Sequence, residues 1–311
     1  MGNGPDPALI PLSRCDLSLD HLLDDFSRQQ NLPRDALDSF KAALGTGRLE
    51  GWVAVEAGRA VGLVGFTLRD TWGQISLVHA PGRPGLIRAL VAQTLTDLRQ
   101  REGLTSIVAS GPLPAGSVRE AFLGEGFVEI ERQEMSLDLS HPPPSVPPLL
   151  GYRLGSWHPR HRDAVAEVMW QANHSLPDAL IYPALQTVEG CRDLVAKIAT
   201  GRWGRFLAGA SPVALDADDR VVGLLLAGRI ARDTGYILEV AVLPEHQGTG
   251  LGKALVALCL ARCQAAGLSK VNLAVSRHNA PAMELYRRLG FEEEDRFSAF
   301  VWRPEVPPAE A

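Results

Sequence analysis

Apolar residues in this chain recur in two series with the same layout, one on each side of a proline-rich break. In the first series, Gly51-Trp52-Val53-Ala54-Val55, a turn at Glu56-Ala57-Gly58-Arg59 and Ala60-Val61-Gly62-Leu63-Val64-Gly65-Phe66 read as a β-hairpin. The reason is a β-branched and aliphatic run cut once by a glycine-bearing turn. In the second, Arg205-Phe206-Leu207-Ala208-Gly209, a longer turn at 216–220 and Val221-Val222-Gly223-Leu224-Leu225-Leu226 repeat that plan. Ile75 to Val78 then mirrors Glu239 to Val242, Leu86-Ile87-Arg88-Ala89-Leu90 mirrors Leu251-Gly252-Lys253-Ala254-Leu255, and Gly124-Glu125-Gly126-Phe127 mirrors Arg288-Leu289-Gly290-Phe291. The offset is 161 between Gly62 and Gly223 and 165 between Leu86 and Leu251. A near-constant offset is the mark of a duplicated module.

Residues 140–149, Ser-His-Pro-Pro-Pro-Ser-Val-Pro-Pro-Leu, cannot hold a regular element, because proline fixes φ and removes a donor. The expected organisation is a first domain over 1–140, a linker over 141–150, a second domain over 151–303 and a flexible tail over 304–311. Two helices, 17–30 and 34–44, open the first domain. In the second, the spacing predicts a strand at 151–155 and helices over 159–172 and 188–200, the latter capped by Thr187. Gly190 at the third helical position excludes a capping box. Strands near 205–210, 221–231 and 235–242, a helix over 250–265, a strand at 270–275, a helix over 280–289 and terminal strands near 291–302 complete the series. Each half is therefore expected to be α/β (α+β): a mixed, mostly antiparallel sheet flanked by helices.

The chemistry concentrates where the strand ending at Val242-Leu243-Pro244 passes through Glu245-His246-Gln247-Gly248-Thr249-Gly250-Leu251-Gly252 into an apolar helix. Such a turn exposes unpaired amides at a helix start, where they can hold a phosphate. A P-loop needs a glycine five positions before Gly252, where Gln247 stands, and a hydroxyl after Lys253, where Ala254 stands. The dinucleotide fingerprint needs Gly-x-Gly-x-x-Gly and an acid ending the next strand, but Val271–Val275 runs into Ser276. Both readings fail.

Gln247-x-x-Gly250-x-Gly252 between a strand and a helix resembles the acyl-CoA-binding motif of the GCN5-related N-acetyltransferase superfamily. The resemblance implies a further strand, an asparagine, a helix bearing a tyrosine, and Gly-Phe. The chain supplies Val271-Asn272-Leu273-Ala274-Val275, Asn279, a helix from Ala282 to Leu289 holding Tyr286, and Gly290-Phe291. It thus implies a tandem acyl-CoA N-acyltransferase fold with acetyl-CoA as cofactor. The amides of Gln247, Gly248, Thr249, Gly250, Leu251, Gly252 and Lys253 would hold its pyrophosphate, and the backbone of Val240, Ala241 and Val242 would pair with its pantetheine arm. Leu251 reads as helix-packing bulk.

Tyr286 is the implied proton donor to the leaving thiolate, since a phenol of pKa about 10 can hydrogen-bond a thiolate of similar basicity; a half-buried aromatic on that helix is the bland alternative. Asn279 fits both a helix cap and a cofactor contact. Glu239 is the general-base candidate: alternation places it opposite Leu238, Val240 and Val242, with Ile237 and Ala241. A salt bridge to Arg229 or Arg232 would explain it equally well. The segment from Asn173 to Pro183 overhangs the acceptor pocket in the superfamily, which makes His174, Asp178 and Tyr182 candidate acceptor ligands. The N-terminal copy departs from the motif where chemistry would sit. Ile87 replaces Gly252, Gly82 stands near Gln247, Pro84 removes an amide, Phe122 replaces Tyr286 and Ala115 replaces Asn279. That half reads as the same fold without a working cradle.

With 311 residues there is room for two ordinary domains. The formal charge of −5 offers no general attraction to nucleic acid or anionic membrane. With no basic leader and no apolar run of transmembrane length, a cytoplasmic protein is expected. Cys15, Cys191, Cys259 and Cys263 form no disulfide framework, and Cys259 and Cys263 read as small buried hydrophobes. No His/Cys/Asp cluster has metal-ligand spacing. The expected function is acetyl-CoA-dependent N-acetylation of a small-molecule primary amine by direct attack in a ternary complex, by a monomer or homodimer. A protein or peptide N-acetyltransferase and a non-catalytic acyl-CoA-binding protein are the alternatives.

Overall fold

The computed structural model describes residues 7–304 other than Pro33, Asp70, Pro112, Pro114, Ala115, Pro147 and Pro148. Ala115 and the tail beyond residue 304 therefore lie outside the described residues, as does part of the proline-rich stretch. The chain folds as two compact units, one built from residues up to Ile130 together with Phe297 onward, the other from Glu131 to Arg296. The unit boundary does not follow the prolines. Strands Val128–Asp138 and Glu292–Trp302 each begin in one unit and continue into the other. The sequence repeat and the compact unit are thus cut at different places.

The first unit orders its strands Ala8–Pro11, Glu50–Glu56, Arg59–Arg69, Trp72–His79, Ser106–Ala109 and the end of Glu292–Trp302. All neighbours are antiparallel except Trp72–His79 with Ser106–Ala109. Helix Asp20–Gln29 buries Leu22, Leu23 and Phe26 against Val53, Leu63 and Leu77 on one face. Helices Pro84–Arg99 and Ser117–Gly124 bury Leu90, Leu95 and Phe122 on the other.

The second unit repeats this plan. Its sheet runs Val128–Asp138, Lys270–Ser276, Thr234–Val242, Val221–Arg229, Pro212–Leu215 and Arg153–Ser156. Helices Arg162–Asn173 and Val188–Ala199 cover one face, and Leu251–Ala265 and Ala280–Arg288 the other. The fold is the mixed, mostly antiparallel sheet flanked by helices that the pattern predicts, built twice. Thr187 caps its helix by accepting from the Gly190 amide at 3.0 Å. Gly190 is required there because a Cβ would lie 2.4 Å from the Ala184 carbonyl oxygen.

One strand differs from the expectation. The hairpin partner of Val221–Arg229 is Pro212–Leu215, through Ala214 opposite Gly223, whereas only Arg205–Phe206 pairs from the segment expected there. The intervening residues turn as a 3₁₀ helix, Ala208–Ala210. Ser211 replaces ladder bonds with its side chain: Oγ donates to the Leu207 carbonyl (2.9 Å) and accepts from the Ala227 amide (3.0 Å). Serine side chains commonly compete with secondary structure in this way.

Both sheets carry a bulge at the same place. Leu226 faces Glu239 and Ala227 faces Ile237, so Leu238 is supernumerary. In the first unit Gly65 faces Leu77 and Phe66 faces Ile75, leaving Ser76 over. The bulge corrects the sequence alignment: Leu77, not Ile75, stands where Glu239 stands. Phe122 and Phe127 (centroids 5.0 Å apart) likewise repeat Tyr286 and Phe291 (5.6 Å). Among the described residues no helix is long and apolar enough to cross a membrane. Because Leu77 is wholly buried, Leu77→Ala should destabilise the first unit by about 2–5 kcal/mol. Urea unfolding checks this, and a loss well under 1 kcal/mol would contradict the packing described.

Candidate active site

Thr234–Val242 and Lys270–Ser276 lie side by side and parallel, but only their beginnings pair. The last registered partners are Ile237 and Leu273. Beyond them Val240, Ala241 and Val242 still pair with Leu225, Leu224 and Gly223 on their other side. Val275 and Ser276 likewise pair with Gln133 and Arg132. Two strands held from outside and unpaired toward each other leave a wedge with an open main-chain edge. A bulge adds twist and re-aims side chains, which accounts for the parting directly after Leu238.

A cavity of about 520 Å³ runs through this wedge. Leu238, Glu239 and Val240 line it from one strand and Leu273, Ala274 and Val275 from the other. Asn173, Asp178 and Tyr182 reach it from one sheet face, and Asn279 and Tyr286 from the opposite face. Three polar residues that the sequence reading did not single out, Asn173, Arg132 and Tyr236, complete it. The only sequence signal for Asn173 is its place at the start of the overhanging segment. Arg132 has none, because it precedes the proline-rich stretch.

Glu239 sits where the bulge puts it, not where simple alternation would. Ile237 packs into the core under helix Leu251–Ala265, while Leu238 and Ala241 pack on the face of Arg162–Asn173. Glu239 shares that second face: its Oε1 accepts a hydrogen bond from Asn173 Nδ2 at 3.3 Å. It therefore lies with Leu238 and opposite Ile237, where the expectation had these two exchanged, because one extra residue inverts the alternation before it; Ala241 on its own face and Val240 and Val242 on the other are as expected. The salt-bridge alternative also falls, since Arg229 donates instead to the Ala266 carbonyl (3.1 Å). Burial raises the Glu239 carboxyl from an ordinary 4.5 to about 7; the Asn173 bond, the Val240 amide and Arg132 pull it down, and Asp178 pushes it up. A carboxyl poised near neutrality in a cleft suits proton abstraction at physiological pH.

Tyr286 is only 7% exposed and packs edge-on against Phe291. Burial, and secondarily the Glu239 charge, push its phenol above its ordinary value, so it stays protonated. No protein group accepts its hydroxyl among the described residues, and it lines the cavity. Asn279 caps helix Ala280–Arg288, its side-chain oxygen accepting from the Ala282 amide at 3.2 Å, and still borders the cavity.

The glycine turn leaves six of the seven expected amides free; the seventh, that of Gln247, donates to the Pro244 carbonyl at 3.2 Å because a 3₁₀ turn, Pro244–His246, precedes it. Gly248 and Gly250 adopt φ of +76° and +89°, and Gly250 is the left-handed N-cap of Leu251–Ala265. Gln247 Nε2 fastens the turn to the Val242 carbonyl (3.1 Å), and Thr249 Oγ1 to that of His246 (2.7 Å). The first internal bond of the helix is Ala254 N–H to the Gly250 carbonyl. The amides of Gly248, Thr249, Gly250, Leu251, Gly252 and Lys253 donate to no other group among the described residues. A Cβ at Gly248 or Gly250 would meet nothing within 4 Å. Leu251 is buried in the core, as its packing role requires. His246 bonds Tyr152 (Nδ1 to hydroxyl, 3.0 Å).

Of the three overhanging candidates, the structure brings two to the cavity. His174 stays outside: it stacks on Trp170 at 4.9 Å, and its Nδ1 meets the Trp170 carbonyl oxygen at 2.9 Å. Helix Arg162–Asn173 starts after a 3₁₀ turn, Pro159–His161, and ends one residue later than expected, with His174 outside the cavity. Asp178 lines the cavity, but its carboxylate is engaged by Arg132 at 3.0 Å, by Ser276 and by His278 at 3.5 Å. Tyr182 is the half-exposed rim. Cys259 and Cys263 are buried in the helix core.

Residues 191–291 match the model of the acetyltransferase (GNAT) family. A mycothiol acetyltransferase from Cellulomonas flavigena is 30% identical over 257 residues, 77% of this chain and 71% of that protein. Another, from Actinosynnema mirum, is 37% identical over 150 residues, 48% of this chain and 47% of that protein, so the match spans about half its length. A solved tandem GNAT protein from the clavulanic acid biosynthesis pathway superposes with TM-score 0.64 at 22% identity, covering 96% of this chain and 99% of that one. A GCN5-related N-acetyltransferase from Sphaerobacter thermophilus gives 0.67 at 19% identity, with 96% and 97% covered. These two establish likeness of fold.

The Glu239 carboxyl should titrate near pH 7 when followed by isotope-edited infrared spectroscopy, and Asn173→Ala should move the midpoint up by removing a donor. Because folding raises this pKa, the stability it confers is full below 4.5 and is lost as pH rises to about 7. Glu239→Gln should abolish that part of the pH dependence. A midpoint near 4.5 in the folded protein would refute the burial described.

Proposed function

The chain belongs to the acetyltransferase (GNAT) family, and we propose that its second unit transfers the acetyl group of acetyl-CoA to a primary amine of a small, mycothiol-type acceptor, by direct attack in a ternary complex. The observation that carries this reading is the wedge. It places an open strand edge, a near-neutral carboxyl and a protonated phenol around one cavity, with free amides in the adjacent glycine turn. When bound, acetyl-CoA supplies the activated thioester.

The residues present fit that group. Six undonated amides at a helix start, held by two left-handed glycines with open space at their Cβ positions, match a diphosphate. The unpaired edge of Val240, Ala241 and Val242 offers hydrogen bonds to an extended amide-bearing arm. Glu239 takes the proton from the acceptor ammonium, directly or through one water. Tyr286 donates its proton, or a hydrogen bond, to the departing sulfur from the opposite sheet face. Asp178 and Tyr182 shape the acceptor end, and Asn279 borders the cofactor side. The first unit has Leu77 and Phe122 at the positions of Glu239 and Tyr286, so it can perform neither proton transfer.

This reading is favoured over a peptide acetyltransferase because the overhanging segment puts Asp178 and Tyr182 into the cavity wall, leaving less room for an extended peptide. It is favoured over a passive acyl-CoA binder because Glu239 and Tyr286 border one cavity beside the open strand edge, a carboxyl and a phenol set on opposite sheet faces. Thiol release from acetyl-CoA across a panel of small amines tests it, and release with none of them would refute it.

Tyr286→Phe should lower kcat by about 10²- to 10⁴-fold while leaving the melting temperature near the native value; near-normal turnover would remove the proton-donor role. The pH profile of kcat/KM should rise through about 7 as Glu239 ionises, and Glu239→Gln should erase that limb. Gly250→Ala should cost about 1–2 kcal/mol of backbone strain and weaken acetyl-CoA binding measured by calorimetry. Unchanged affinity would show that the left-handed cap does not set the cradle.

A further inference from the structure

Arg132 is only 5% exposed, yet it belongs to the wall of the cavity, and it comes from the sequence ahead of the proline-rich stretch. Its Nη1 donates to Asp178 Oδ2 and to Ser276 Oγ, both at 3.0 Å. Its Nη2 donates to the Ala274 carbonyl at 3.1 Å. Ser276 Oγ in turn donates to the other oxygen of Asp178. The guanidinium carbon lies 5.6 Å from the ring centre of Tyr182. Its Nε is buried without a partner among the described residues.

We propose that Arg132 is a positioning residue of the acceptor cavity: it ties the overhanging Asp178–Ile181 helix to the strand carrying Ala274 and Ser276, and so fixes the roof above Glu239. This rests on reading the cavity as the acceptor site. The location of the tie is the main argument. Ala274 and Ser276 lie past the last registered pair, Ile237 with Leu273, where no backbone ladder sets the width of the wedge. There the inner edge of the strand is free, and the Arg132 fork with the Ser276 hydroxyl links it to the overhanging helix. A planar guanidinium can hold a carboxylate, a hydroxyl and a carbonyl in one fixed fork, which an ammonium cannot. A buried ion pair is a poor source of net stability compared with apolar packing, the more so with one donor unpaired. The arrangement is better explained by what it holds still. The cavity that the second unit works with therefore depends on a side chain supplied by the opposite side of the linker.

The test uses the full chain with Arg132→Met, Arg132→Lys and Asp178→Asn, the last cutting the same tie from its other end should the arginine variants fold poorly. Hydrogen exchange without any substrate should speed up roughly tenfold in peptides covering 174–186. Peptides from Thr234–Val242 and Leu251–Ala265 should keep wild-type rates, and the acetyl-CoA dissociation constant should change less than about twofold. With the amine that wild type turns over best, KM for the amine should rise much more than KM for acetyl-CoA, and Arg132→Lys should restore the charge but not the amine KM. Unchanged exchange over 174–186 in Arg132→Met and Asp178→Asn would overturn the proposal. So would faster exchange throughout the unit with a parallel loss of acetyl-CoA affinity, which marks a general folding role. A wild-type protein that acetylates no amine would sink the transferase reading alone, since the exchange result stands without turnover.

Discussion

The site depends on two parallel strands that stop pairing halfway. Thr234–Val242 and Lys270–Ser276 are held together up to Ile237 and Leu273, and each is then retained by its outer neighbour. Leaving main-chain groups unpaired inside a sheet is costly unless something else satisfies them. Here the unpaired edge faces a cavity, where an extended ligand can complete the ladder. The bulge at Leu238 sits at the branch point and sets two things together: it lets the strands part, and it turns Glu239 onto the face where Asn173 can bond it. Move that single extra residue, and the carboxylate would face the core under helix Leu251–Ala265.

The first unit shows that the wedge alone is not chemistry. It keeps the bulge, the parallel pair and even the aromatic couple, Phe122 on helix Ser117–Gly124 and Phe127 just after it. Leucine stands at the position of Glu239 and phenylalanine at that of Tyr286, so the same backbone packs an apolar core there. Duplication preserved the geometry that folding requires and dispensed with the polar groups that burial penalises.

Those polar groups are expensive in the second unit as well. Burial raises both groups, Glu239 only to about 7, where it still ionises near neutral pH, and Tyr286 far enough that it keeps its proton. Their partners also differ: Glu239 has a donor in Asn173, and Tyr286 has no protein acceptor among the described residues. The phenol is thus left with a hydrogen bond to give, which is the capacity a leaving sulfur calls on.

By itself, the sequence determined the elements and the glycine turn. Strand alternation, glycines that demand positive φ and an asparagine before Ala-Pro are local effects, so Gly248, Gly250 and Asn279 could be read in place, as could the duplicated sheet with its helices. What the tertiary structure decided was everything set by long-range register. A one-residue bulge is invisible to alternation, so the face of Glu239 and its alignment with Leu77 emerged only from cross-strand pairing. Ser211 took over ladder bonds and moved a strand from 205–209 to Pro212–Leu215. His174 stays out of the cavity because it stacks on Trp170 one helical turn back and bonds its carbonyl. Arg132 joins the cavity because a strand from before the linker pairs with Lys270–Ser276, and no pattern within either half could place it there. Proximity in the chain fixes backbone conformation, but side chains meet according to which strands lie next to each other.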